Sequence, residues 1–246
     1  MYIDSHCHID KLDNIEKIVE NSKNAGVEMI ISNGLNPINN KLVLELSKKF
    51  KEVEVALGMY PIDSLELKKS EIDQEIEFIK KNSNKIIAIG EVGLDFKEGL
   101  ETRKKQEKTF REFVKLAKDL DKPVIVHSRK AEKECIEILE ELNSKKVIMH
   151  CFSGKLKLVR KIFSNGWFLT IPTCVKHSEH FQKIIEICPI ENLLCETDSP
   201  YLHPDKKFPN EPANVIESYK MISKIKDINL DKVEKKIQQN FKRLFS

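Results

Sequence analysis

Val124-Ile125-Val126-His127 is a run of branched apolar residues that stops on a histidine. Short and continuous in apolarity, it reads as a strand covered on both faces, the pattern of a parallel sheet. Amphipathic stretches lie on either side. In 101–119, Phe110, Phe113, Val114 and Ala117 fall on one helical face, and in 131–142 Cys135, Ile138, Leu139 and Leu142 do the same. The alternation continues to both ends of the chain. Runs rich in Ile, Val or Leu stand at 2–6, 27–33, 53–58, 86–91, 124–127, 147–150, 167–171 and 193–196. Eight strand-and-helix units in 246 residues predict an α/β fold, a single (β/α)8 TIM barrel over 1–246 with its active site at the C-terminal strand ends. The competing fold is a doubly wound open sheet. That fold would place a ligand at a reversal of strand order, not polar residues at many strand ends.

Composition fits one packed domain: 40% hydrophobic and 33% charged residues allow a core with a solvated outside. No linker, low-complexity tract or internal repeat interrupts the chain. A net charge of +3, with basic residues spread along the sequence, does not by itself point to nucleic acid. Of the 42 basic residues only Arg103, Arg111, Arg129, Arg160 and Arg243 are arginines, so an Arg at a special position is informative. The six cysteines (Cys7, Cys135, Cys151, Cys174, Cys188 and Cys195) form no CxxC pair and read as buried free thiols in a reducing cytoplasm. No apolar run approaches the ~20 residues a membrane span requires. A cleaved leader is not expected either, since the candidate ligands begin at His6.

Groups able to bind metal stand at the ends of five of these runs. His6 and His8 end the first, Glu91 the fourth, His127 the fifth and His150 the sixth, and Asp198 follows the eighth. A barrel brings such ends to one mouth. His6 and His8, two apart on a strand, project to one face, and two imidazoles together attract a cation. Cys7 projects the other way. Either His127 or His150 alone would read as a hydrogen-bonded core histidine, but neither is alone. Glu91 would be costly in a barrel mouth without a cation or basic partner. A carboxylate there can bridge two metals. Asp198 can bind a metal and take a proton, although an Asp just before Ser199-Pro200 also reads as a turn residue. Arg129, two residues past His127, is a candidate phosphate fork or a surface ion pair. Lys206 and Lys207 follow the eighth strand, a usual phosphate-binding place in barrels, or are solvated charges. His177, His180 and His203 lie in polar surroundings and read as surface residues.

Together these blocks make the chain resemble the TatD-type metal-dependent deoxyribonucleases. The matching segments are Asp4-Ser5-His6-Cys7-His8, Gly90-Glu91-Val92-Gly93-Leu94-Asp95, Pro123 to Arg129, His150-Cys151-Phe152-Ser153-Gly154 and Glu196-Thr197-Asp198-Ser199-Pro200-Tyr201. Asn210-Glu211-Pro212 and Asn240-Phe241-Lys242-Arg243-Leu244-Phe245 also match, so the resemblance runs from residue 4 to 245. It implies a two-metal barrel, with His6, His8, Glu91, His127, His150 and Asp198 as ligands and Mg²⁺ as the expected ion. It also implies trimming of DNA strands from the 3′ end. The chain departs from the family at Gly58-Met59-Tyr60-Pro61, where the family usually has Gly-x-His-Pro. Tyr60 could stack on a base or donate to phosphate, but is no imidazole proton donor near neutral pH.

The expected reaction is phosphodiester hydrolysis, with Glu91 and Asp198 as catalytic carboxylates and Arg129, Tyr60 and Lys206 on the substrate. Four imidazoles suit Zn²⁺ or Mn²⁺ better than Mg²⁺ on ligand preference. DNA, chiefly single-stranded ends, is the expected partner, with no membrane and no obligate protein partner. Two rivals use the same residues: an amidohydrolase-type enzyme acting on a small amide, ester or lactone, and a non-catalytic metal-binding barrel.

Overall fold

In the computed structural model, which describes residues 1–245, strands and helices alternate from the first turn. The order is β1 (Tyr2–Cys7), α1 (Ile15–Asn24), β2 (Val27–Asn33), α2 (Pro37–Lys49), β3 (Val53–Met59), α3 (Lys69–Lys81), β4 (Ala88–Asp95) and α4 (Arg103–Asp119). It continues through β5 (Val124–Arg129), α5 (Glu132–Glu141), β6 (Val147–Met149), α6 (Leu156–Ser164), β7 (Phe168–Pro172), α7 (Glu179–Ile187), β8 (Leu193–Glu196), α8 (Ile216–Lys226) and α9 (Leu230–Phe245).

Local chemistry explains the boundaries. Asn36 caps α2 by accepting from the backbone N–H groups of Ile38 and Asn39, with Pro37 in the first turn. Asn14 caps α1 in the same way, accepting from Lys17. Phe110, Phe113, Val114 and Ala117 are all buried on α4, and Cys135, Ile138 and Leu139 on α5, as their periodicity predicts. The strands are buried almost end to end because helices cover the sheet outside and side chains fill it inside.

Among the described residues the eight strands form one parallel sheet in sequential order, β1 to β8. Sequential order removes the doubly wound alternative, since no strand-order reversal exists. The eighth strand comes back beside the first. Ser5 Oγ donates to the Cys195 carbonyl at 2.7 Å, and Asp198 N–H donates to the His6 carbonyl at 3.0 Å. His8 N–H donates to the Ser199 carbonyl at 2.8 Å. These bonds bring residues some 190 positions apart in the chain to the same point. On the outside, the Tyr219 hydroxyl of α8 accepts from Ile3 N–H at 3.0 Å and donates to the Ile3 carbonyl at 3.2 Å. No helix among the described residues is long and apolar enough to cross a membrane.

Candidate metal centre

The C-terminal strand ends surround a cavity of about 840 Å³ whose wall includes His8, Glu91, His127, His150 and Asp198. Glu91 lies at its base, buried, and its two carboxylate oxygens face different partners. Oε1 stands 2.8 Å from His127 Nδ1 and 3.0 Å from His150 Nε2. Oε2 stands 3.5 Å from His6 Nε2 and 3.3 Å from His8 Nε2. Asp198 Oδ1 completes the second group, 3.5 Å from His6 Nε2 and 3.7 Å from His8 Nε2. Three overlapping sets of donors are each compact enough to hold one ion: His6–His8–Asp198, Glu91–His127–His150 and His6–His150–Glu196. Ligands held about 2.0–2.2 Å from one ion stand about 3.3–3.6 Å apart in a tetrahedron, close to the spacings around Oε2.

Strand geometry sets this up. His6 and His8 share a face of β1, as their spacing predicts, with rings 5.1 Å apart and nearly perpendicular. Cys7 is buried away from the pair. The His6 ring stacks on that of His150 from across the barrel, 3.9 Å between centroids. Gly93 allows β4 to hug β5: it has φ +149°, and a Cβ there would lie 1.9 Å from the His127 carbonyl oxygen.

Two imidazoles have their outer nitrogen hydrogen-bonded, and a third only faces a carboxylate. His8 Nδ1 meets the Asn33 carbonyl at 3.1 Å, His127 Nε2 meets Asp95 Oδ2 at 3.1 Å, and His150 Nδ1 faces Glu196 Oε2 at 3.6 Å. A donated outer N–H leaves the inner nitrogen's lone pair aimed at the centre, which is how metal-binding histidines are oriented. His6 has neither ring nitrogen hydrogen-bonded although it is fully buried. An unsatisfied buried imidazole is expensive, and a cation at Nε2 would remove that cost. The donor set and this orphaned ring therefore fit divalent metal.

The charges agree. Burial pushes the His6 imidazole down to about 4, so it stays neutral, as a ligand must. Burial also opposes ionisation of Glu91, but His150 and His127 outweigh it and hold the carboxyl well below its usual range. His150 is correspondingly raised, burial being overcome by Glu91 and Glu196. Asp198 is pushed up to about 6 by burial, which the charges of His150 and His8 only partly offset.

The other expected site residues are placed less simply. Arg129 reaches the cavity rim but pairs with Glu98 at 2.7 Å, and lies 3.8 Å from Asp95. Tyr60 lines the cavity with its ring edge-on to His127, 5.0 Å between centroids. Its hydroxyl is engaged, donating to Asp95 Oδ2 at 3.0 Å. Lys206 is exposed on the β8–α8 loop outside the cavity wall, whereas Lys11, from the segment after β1, lies in it. Sequence reasoning assigned no role to Asp95, Glu196 or the Asn33 carbonyl. The signal for the two acids was spacing: Asp95 shares a β4 face with Glu91, and Glu196 precedes Asp198 by two.

Comparison with known proteins agrees with this geometry. The family described as TatD related DNase matches residues 3–246. An uncharacterised metal-dependent hydrolase of Methanocaldococcus jannaschii is 36% identical, covering 99% of this chain and 96% of its own length. The human deoxyribonuclease TATDN3 is 30% identical, covering 99% of this chain and 94% of its own. The crystal structure of a TatD homologue from Escherichia coli superposes with a TM-score of 0.93 at 25% identity, covering 99% of this chain and 97% of that one. The chain thus belongs to the TatD-related DNase family of metal-dependent hydrolases.

Proposed function

We propose that the cavity hydrolyses phosphodiester bonds at the 3′ end of single-stranded DNA, with two divalent cations held by His6, His8, Glu91, His127, His150 and Asp198. The observation that carries this reading is the two-sided placement of Glu91, each oxygen turned to its own imidazole pair. The deoxyribonuclease name of the human relative supports DNA as substrate. When bound, paired cations lower the pKa of a water and offset charge on phosphoryl oxygens. Mg²⁺ is the expectation from the family, while four imidazoles favour Zn²⁺ or Mn²⁺.

The chain's own residues divide the work. Glu91 holds the two imidazole pairs at one separation. Asp198, on the cavity wall beside His6 and His8, accepts the proton of the attacking water. Asp95 orients the ring of His127, and Glu196 faces that of His150. Arg129 exchanges Glu98 for a non-bridging phosphate oxygen at the rim. Tyr60 keeps its proton, since burial and the Asp95 carboxylate raise its pKa, and it acts as a donor beside His127. Six free thiols fit a reducing, cytoplasmic setting.

The test is an assay of metal-reconstituted protein on end-labelled single-stranded DNA, a chromogenic phosphodiester and a lactone. Stepwise loss of nucleotides from the 3′ end is expected. Lactone turnover without cleavage of either phosphodiester would overturn the proposal.

A further inference from the structure

The large apolar side chains exposed among the described residues all follow C-terminal strand ends. Ile38 and Leu42 lie in the first half of α2, Leu100 after β4, and Tyr201 and Phe208 after β8. Ile38, Leu42 and Leu100 stand in segments apart from the rest, as surface apolar residues commonly do. The other two are aromatic and share one loop. Tyr201 is 46% exposed and Phe208 is 73% exposed.

This loop is tied down at its base and flank. The Asn210 N–H donates to the Pro200 carbonyl at 2.8 Å, so residues 200–210 leave and return at one point. Asn210 Nδ2 donates to the Thr197 carbonyl and to Thr173 Oγ1, both at 3.0 Å, and Thr173 Oγ1 donates to the Leu202 carbonyl at 2.7 Å. Lys176 takes up Asp205 at 2.6 Å. Lys206 and Lys207, beside Phe208, pair with no carboxylate among the described residues. Tyr201 lines the cavity together with Asp198, to whose carbonyl its N–H donates at 2.9 Å. Lys11 Nζ lies 5.5 Å from the centre of the Tyr201 ring, on the same wall.

We infer that the β8–α8 loop is a binding platform for single-stranded DNA that runs from the cavity wall outward, Tyr201 and Phe208 stacking on bases while Lys11, Lys206 and Lys207 meet phosphates. This rests on the phosphodiesterase reading of the cavity: the strand end enters at Asp198, and the nucleotides behind it cross the loop. Alternating π faces and phosphates are what a single strand presents, and aromatic rings among unpaired lysines complement both. A duplex keeps its base faces stacked inside and has nothing to offer the rings.

Fluorescence anisotropy of metal-loaded protein with labelled, phosphorothioate-linked oligo-dT of about two to ten nucleotides tests this. Affinity of the native chain should rise with length. In Tyr201→Ala and Phe208→Ala that rise should shrink by about tenfold, and Tyr201→Phe and Phe208→Tyr should restore it. In the Lys206→Ala, Lys207→Ala double variant the slope of log affinity against log salt should flatten by about 1.4, about 0.7 for each lost phosphate contact. Alanine variants with the native length dependence, or a native chain that prefers a duplex of equal length, would overturn the platform. Cleavage of DNA with no effect of the loop variants sinks the platform alone. Loop-dependent binding without cleavage sinks the phosphodiesterase reading alone, and absence of both binding and cleavage sinks the two together.

Discussion

On the proposed mechanism Asp198 accepts a proton; it lies just past β8, 3.5 Å from His6. Asn keeps its shape and one ligating oxygen but accepts no proton to become a neutral acid. Asp198→Asn should therefore lose ~10²–10⁴-fold in kcat at measured full metal occupancy. Near-normal turnover in that sample would assign the base elsewhere. Asp95 acts one bond further out. Its Oδ1 accepts from the backbone N–H of Lys97 at 2.9 Å and of Glu98 at 3.1 Å, and Oδ2 faces His127 and Tyr60. In Asp95→Asn the two amides would keep the oxygen, which turns the NH₂ group toward His127 Nε2 and sets donor against donor. Metal affinity measured by calorimetry should fall by about 10–100-fold, and an unchanged affinity would make Asp95 a mere neighbour. At this scale the histidine cluster was legible because His6 and His8 carry their geometry in their spacing. Asp95 offered only its β4 spacing from Glu91, because what makes it matter, the outer nitrogen of His127, comes from another strand.

Among the elements, apolar runs marked all the strands, but their ends moved where pairing rather than hydrophobicity decides. The run 86–91 stops at Glu91, whereas β4 continues to Asp95 because Gly93, Leu94 and Asp95 pair with His127, Ser128 and Arg129 of β5. The run 147–150 loses its last residue, and the chain turns at Cys151 with φ 42°. Nothing apolar signals either event. Packing between helices hid a further buried group. Asn40 of α2 donates through Nδ2 to the Gly58 carbonyl at 2.8 Å and to Glu75 Oε1 of α3 at 2.7 Å. Burial raises the Glu75 carboxyl above its ordinary 4.5, and the bond from Asn40 offsets this only in part. Between the unfolded and folded pKa values, the folded chain therefore holds a proton that the unfolded chain has released. Stability from this group falls as pH rises through that window and stays low above it. Glu75→Gln keeps an acceptor for Asn40 without the charge. Its melting temperature should exceed the native value at about pH 7, and the gain should vanish at about pH 4. A variant no more stable at neutral pH than the native chain would show Glu75 to be well solvated.

Closure of the barrel makes one site from residues 6 to 198, and that could be anticipated from the alternation of strands and helices alone. The direction of each loop could not, so Lys206 falls outside the cavity and Lys11 inside it. The closed site gathers four imidazoles around Glu91 and Asp198, and cations should link the strands that carry them. Metal analysis of reconstituted protein should give about two ions per chain. EDTA should abolish activity and lower the melting temperature. At a concentration a hundredfold above Kd, one ion contributes about 2.7 kcal/mol, or about 5–10 °C for a domain of this size. The two-sided carboxylate predicts how variants divide. His127→Ala removes a donor from the Oε1 side only and should leave about one tightly held ion. Glu91→Gln weakens both sides, because its oxygens serve one group each, and should lose both ions while the barrel stays folded. A Glu91→Gln chain that retains two ions, or a metal-free native chain as active and as stable as the loaded one, would remove Glu91 from the centre of the site.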